Sequence, residues 1–60
     1  LPAAFDRKGA AKYLSIGTTK FGELIREGNL PKGVIIGGRP HWFREDLEKY
    51  LRKLKRENNN

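Results

Sequence analysis

Residues Gly9–Arg26, GAAKYLSIGTTKFGELIR, decide how this chain is read. Ala10, Ala11 and Leu14 form a small apolar stripe at helical spacing, and Asp6 stands where an N-cap is needed. Phe21, Leu24 and Ile25 form a second stripe, preceded by Ile16. Ser15-Ile16-Gly17-Thr18 separates the two as a tight turn, with Gly17 or Thr18 capping the second helix. Each stripe can bury only against the other and against further structure, so the helices cross steeply, and the alanines permit close approach. This is the pattern of a helix-turn-helix, whose second helix can enter a DNA major groove.

Working outward, the first helix is expected over Asp6–Leu14, although Gly9 costs it about 1 kcal/mol relative to alanine. Leu1–Phe5 reads as an extended lead-in marked by Pro2, with Phe5 folding back onto the core. The second helix spans Thr18–Glu27 and stops at Gly28-Asn29, and Pro31 prevents continuation. The period then changes. Val34-Ile35-Ile36 and His41-Trp42-Phe43 read as two strands around a Gly37-Gly38 turn, with Arg39 at the tip. Pro40 cannot donate to a ladder and belongs at a strand start or on an edge.

From Arg44 to about Arg56 the helical period returns, with Leu47, Tyr50, Leu51 and Leu54 on one face. Glu45 and Asp46 open this helix, and Arg52, Lys53, Lys55 and Arg56 close it, each the favourable sign for the dipole. Its apolar face is expected to cover Phe21, Leu24, Ile25 and Trp42, leaving Glu57–Asn60 to fray. The fold class is therefore α+β, mostly α: helix, helix, β-hairpin wing, helix, a winged helix-turn-helix. One domain over residues 1–60, with its core at about 5–54, accounts for the whole chain.

Thirteen Lys and Arg against seven Asp and Glu give +6 in 60 residues, a balance that favours nucleic acid first and an anionic membrane second. Cysteine is absent, which excludes disulfides and thiolate metal sites. No apolar run approaches a membrane span or a signal segment. The chain also lacks methionine, so it reads as a piece trimmed from a longer product. An enzyme is not expected: one histidine and a lone turn serine assemble no nucleophile–base pair. His41 lacks the company a zinc site needs, and Gly37-Gly38-Arg39 lacks the lysine and the strand–loop–helix setting of a phosphate loop. No cofactor or metal is implied.

AAKYLSIGTTKFGELIREGNLP, then GGR at a hairpin tip, Trp42 and FREDLEKYL, resembles the excisionase and AlpA-type regulators of phages and conjugative transposons. The resemblance runs from Phe5 to about Leu51. Ser15 stands where that family's turn often has Gly, Gly17 where it often has Ser, and Gly22 where a larger side chain often faces DNA. The resemblance implies a MerR-like winged helix that binds and bends duplex DNA in site-specific excision, or that regulates transcription. It implies a cytoplasmic location, an integrase or recombinase as a possible partner, and further copies on adjacent DNA sites. Two rival readings remain. One is the DNA-binding domain of a phage small terminase subunit; the other is a module that binds a recombinase through protein contacts.

Thr18, Thr19 and Lys20 open the second helix, where base edges and phosphates are met. Glu23 reads equally well as a base contact or as part of a solvated face, and Arg26, farther along, suits phosphate. Gly22 either admits the DNA backbone closely or is simply a poor helix former. On the wing, Arg39 suits the minor groove or its phosphates, and His41 is an inert surface group or a phosphate donor. Arg7, Lys8 and Lys12 are phosphate candidates or a solubilising face. Trp42 reads as core. A monomer in solution is expected, since covering the core uses the only apolar face of the third helix.

Overall fold

Asp6 starts the first helix as expected: its Oδ1 accepts from the Gly9 amide at 2.8 Å. In a computed structural model describing residues 3–58, that helix, α1, spans Arg7–Tyr13, and α2 spans Thr18–Arg26. Both end in the same way. Beyond α1, the Ser15 and Ile16 amides bond to Lys12 O and Ala11 O; beyond α2, the Gly28 and Asn29 amides bond to Ile25 O and Leu24 O. These paired bonds satisfy carbonyls that a helix end would orphan, and they require a left-handed residue just past the cap. Gly28 supplies it at φ 83° without strain, whereas Ser15 supplies it at φ 61° with a Cβ in the way.

Two strands follow, β2 (Val34–Ile36) and β3 (Arg39–Phe43), joined through Gly37 and Gly38. Both glycines have positive φ, 60° and 84°, the signature of a type I′ hairpin turn that glycine tolerates best. The register Ile36↔Arg39, Ile35↔Pro40, Val34↔His41 makes Arg39 the first residue of a strand instead of the tip itself. Pro40 fits inside the strand because, next to a two-residue loop, the Ile35–Pro40 pair is the one without hydrogen bonds. Its missing N–H faces away from β2.

The sheet has a third strand that the sequence did not announce. Ala4–Phe5 forms β1, antiparallel to β3, giving the order β1-β3-β2. Ala4 pairs with Phe43 and Phe5 with Trp42, and the Arg44 amide donates to Ala3 O at 2.8 Å. The expected lead-in is thus a strand over these residues; Leu1 and Pro2 lie outside the described residues. Among the described residues the fold is α+β, with three helices and a three-stranded antiparallel sheet, in the expected order of helix, helix, hairpin, helix.

The core joins Ala10, Ala11 and Leu14 of the first stripe to Phe21 and Leu24 of the second, with Leu30, Trp42 and Leu47 completing it. Trp42 stands edge-on to Phe21, ring centroids 4.8 Å apart, and its indole Nε1 donates to Pro31 O at 2.8 Å. Phe5 packs on Tyr13 at 5.1 Å, so β1 and α1 share the edge of the core. No buried side-chain polar atom among the described residues lacks a partner.

The third helix, α3, runs Arg44–Glu57, one residue past the expected end, and Asn59 and Asn60 of the expected tail lie outside the described residues. It covers the core with its first half only. Leu47 is fully buried and Tyr50 half-buried, but Leu51 is 36% exposed, and of the described residues after it only Leu54 is even half-buried. The expectation that all four apolar residues cover the core is corrected, and with it the premise that the face of α3 is fully used. A 14-residue helix is about 21 Å long, more than a core of this size can span. β2 is likewise uncovered: Val34, Ile35 and Ile36 are 48%, 66% and 44% exposed on an edge strand.

Candidate nucleic-acid interface

Helix α2 presents one face to the core through Phe21 and Leu24, and the opposite face outward. At 3.6 residues per turn, Thr19, Gly22, Glu23 and Arg26 share that outer face. Thr18, Thr19, Lys20 and Arg26 are exposed, and Glu23 is half-buried. The start of α2 is electrostatically open. Its N-cap is Gly17, which offers no side-chain acceptor, and no acidic residue stands in the first turn. Free N–H groups and the positive end of the helix dipole therefore meet two threonine hydroxyls and a lysine.

Arg7 joins this cluster. Although it begins α1, its Nη2 donates to the Thr18 carbonyl at 3.0 Å, so its guanidinium lies against the first turn of α2. Gly22 makes the room: a methyl group built there would overlap Arg7 Nη2. This gives Gly22 a third reading that the sequence did not suggest, a seat for an arginine from the neighbouring helix. No local signal could have found it, because the two residues are remote in sequence and neither belongs to a periodic stripe. Lys8 and Lys12 stay on the exposed side of α1.

Lys20 is not free of its own helix. Its Nζ lies 3.8 Å from Glu23 Oε1, with both side chains about half exposed, so the contact is a weak i,i+3 pair that an incoming phosphate can displace. Arg26, the last residue of α2, sits at its negative end and steadies the helix as well as presenting a charge.

On the hairpin, Arg39 is exposed opposite Ile36, and half-buried His41 stands opposite Val34. His41 Nδ1 is 2.9 Å from the Arg39 carbonyl, which can only accept, so Nδ1 carries the hydrogen. Nδ1 is thereby turned to the hairpin backbone, and Nε2 is the ring nitrogen left to meet a partner. Arg7, Thr18, Thr19 and Lys20 thus form one cluster. Among the described residues, no hydrogen bond or ion pair links Arg39 or His41 to it. Trp42 is 4% exposed, in the core and not a stacking platform.

The chain matches no family model, no curated protein and no solved structure. Among the described residues, no group of three or more His, Cys, Asp or Glu is placed to hold a metal ion, and no helix is long and apolar enough to cross a membrane.

Proposed function

We propose that this chain is a double-stranded DNA-binding domain of the winged helix-turn-helix type. In this reading α2 enters the major groove, N-terminus first, and the β2–β3 hairpin is the wing. Arg7 and the amides of the first turn of α2 hold phosphate, while Thr19 and Lys20 reach base edges. Arg39 meets the backbone or the narrow minor groove beside it. The observation that carries the reading is the start of α2: without a side-chain cap, with no acid in its first turn, lined by two threonines and a lysine, and joined by an arginine from α1. A net charge of +6 supplies the long-range attraction. The resemblance to excisionase and AlpA-type regulators adds the biological role, the shaping of DNA for a recombinase or the control of transcription in the cytoplasm. Copies on neighbouring sites would add specificity, since one module of this kind buries only about 600–1,000 Å².

The test is fluorescence anisotropy of a labelled random duplex at several salt concentrations. Binding should weaken steeply with salt, log K falling by about 0.9 per tenfold salt for each phosphate neutralised. Absence of binding, or binding indifferent to salt, refutes the reading.

A further inference from the structure

A second surface lies away from the start of α2. Between the turn at Gly28–Pro31 and α3 is a cavity of about 650 Å³, the size of a typical ligand cleft but open to solvent. Pro31 and Tyr50 give it an apolar floor, laid over Leu30 of the core, which is only 4% exposed. Lys49, Lys53 and Arg56, spaced i, i+4, i+7, form a row of cations along one side of α3. Two carboxylates, Asp46 and Glu57, stand at the ends of the groove, and neither ion pair found among the described residues engages the row. One turn beyond Tyr50, on the same side of α3, Leu54 lies half-buried and outside the core cluster.

The geometry points to a docking groove for an acidic amphipathic helix of a partner protein. The groove follows α3 for about 16 Å, three helical turns, which suits the helix-in-groove mode of recognition. The partner's apolar stripe covers Pro31, Tyr50 and Leu54, and its carboxylates meet Lys49, Lys53 and Arg56. Charge selects this occupant over the alternatives. A second copy of this chain would bring an identical cation row against the first, a repulsive arrangement. A nucleic-acid backbone would satisfy the cations but leave the apolar floor without a partner. The site does not depend on the DNA-binding reading, because it uses neither α1 nor the start of α2.

The probe is a synthetic peptide of about four helical turns, with leucines at i, i+3, i+4 and i+7 and glutamates elsewhere. Two controls accompany it: the same composition scrambled to remove the period, and oligoglutamate. Binding to the whole chain is followed by amide chemical shifts and calorimetry. The patterned peptide should shift Leu30, Tyr50, Lys53 and Leu54 and bind at least about tenfold more tightly than either control, a difference of about 1.4 kcal/mol. Lys49→Gln and Leu54→Gln should each weaken it while the free chain keeps a cooperative melt, since neither residue is in the core. Equal binding of the controls reduces the groove to a cation face and overturns the proposal, as does no binding at all. Concentration-dependent shifts of the same residues in the free chain assign the groove to a second copy and overturn it too.

Discussion

Replacing Gly22 with alanine separates stability from binding, because the two are expected to move in opposite directions. Alanine in a helix interior is better than glycine by about 0.8–1.0 kcal/mol. Against this, the new methyl group would displace the Arg7 guanidinium and break its bond to the Thr18 carbonyl. That bond is exposed and involves the far end of a flexible side chain, so water replaces it at little cost. The Gly22→Ala chain should therefore be as stable as the parent or more so, by up to about 1 kcal/mol, which raises the thermal midpoint by up to roughly 4–8 °C. Its DNA affinity should fall on every sequence, because a phosphate contact is lost instead of a base contact. The slope of log K against log salt should become shallower by about 0.9. Arg7→Ala should have the same effect on the slope. The double variant should be no worse than Arg7→Ala alone, since both changes remove one interaction. Circular dichroism melting and anisotropy titration at several salts supply all the measurements. A Gly22→Ala chain with an unchanged slope, alongside an Arg7→Ala chain with a reduced one, refutes the idea that Gly22 seats this arginine. A loss of stability above about 1 kcal/mol leaves the seat intact but refutes the expectation that Arg7 moves aside at little cost.

Ser15→Gly should stabilise the chain by about 0.5–1 kcal/mol, relief of left-handed strain outweighing the added freedom of the unfolded chain; an unchanged or lower melting temperature contradicts this. Thr19→Ala and Lys20→Ala should discriminate between a selected site and random duplex, costing about 1–3 kcal/mol more on the former, while Arg39→Ala weakens both evenly. Equal losses for Thr19 and Lys20 variants on both duplexes would remove α2 as the reader. Tyr13 reports on the docking of α3 through alkaline pH. Partial burial, and then the Glu48 carboxylate that accepts its hydrogen bond at 3.2 Å, raise its pKa, with Arg44 opposing. The folded chain thus holds this proton more tightly than the unfolded one. The contribution is complete below the unfolded value of about 10 and is lost as pH rises through the folded value. Urea midpoints should therefore drop more between about pH 8 and pH 11 in the parent than in Tyr13→Phe, and equal drops contradict the assignment.

What could be read from the sequence was carried by local signals. Asp6 three positions before Gly9, Gly28-Asn29 after a periodic stripe, and Gly37-Gly38 between apolar runs each fix a backbone event within a few residues. The elements they bound appeared where expected. What could not be read depends on pairing across the chain. Ala4 and Phe5 are too few to show a period, and their strand exists only because β3 lies alongside with a free edge. Leu51 and Leu54 continue a perfect helical stripe, yet the stripe says nothing about where the body beneath it ends. A positive φ at Ser15 is similarly invisible, since serine does not advertise left-handed backbone as glycine does.

The candidate site divides along the same line. Thr18, Thr19 and Lys20 follow from knowing where a helix starts, whereas Arg7 belongs to α2 only through tertiary structure. Its transfer changes the meaning of α1, which contributes its first residue to the start of α2 and keeps Lys8 and Lys12 on a separate exposed side. The hairpin is tied to the same helix by other means. Trp42 belongs to β3, stands edge-on to Phe21 of α2, and is anchored by its indole to the Pro31 carbonyl in the segment between them. One buried side chain therefore fixes the direction in which Arg39 and His41 are held relative to Thr19 and Lys20. The spacing between the start of α2 and the β2–β3 hairpin, which no hydrogen bond or ion pair among these polar residues enforces, is set from the core outward.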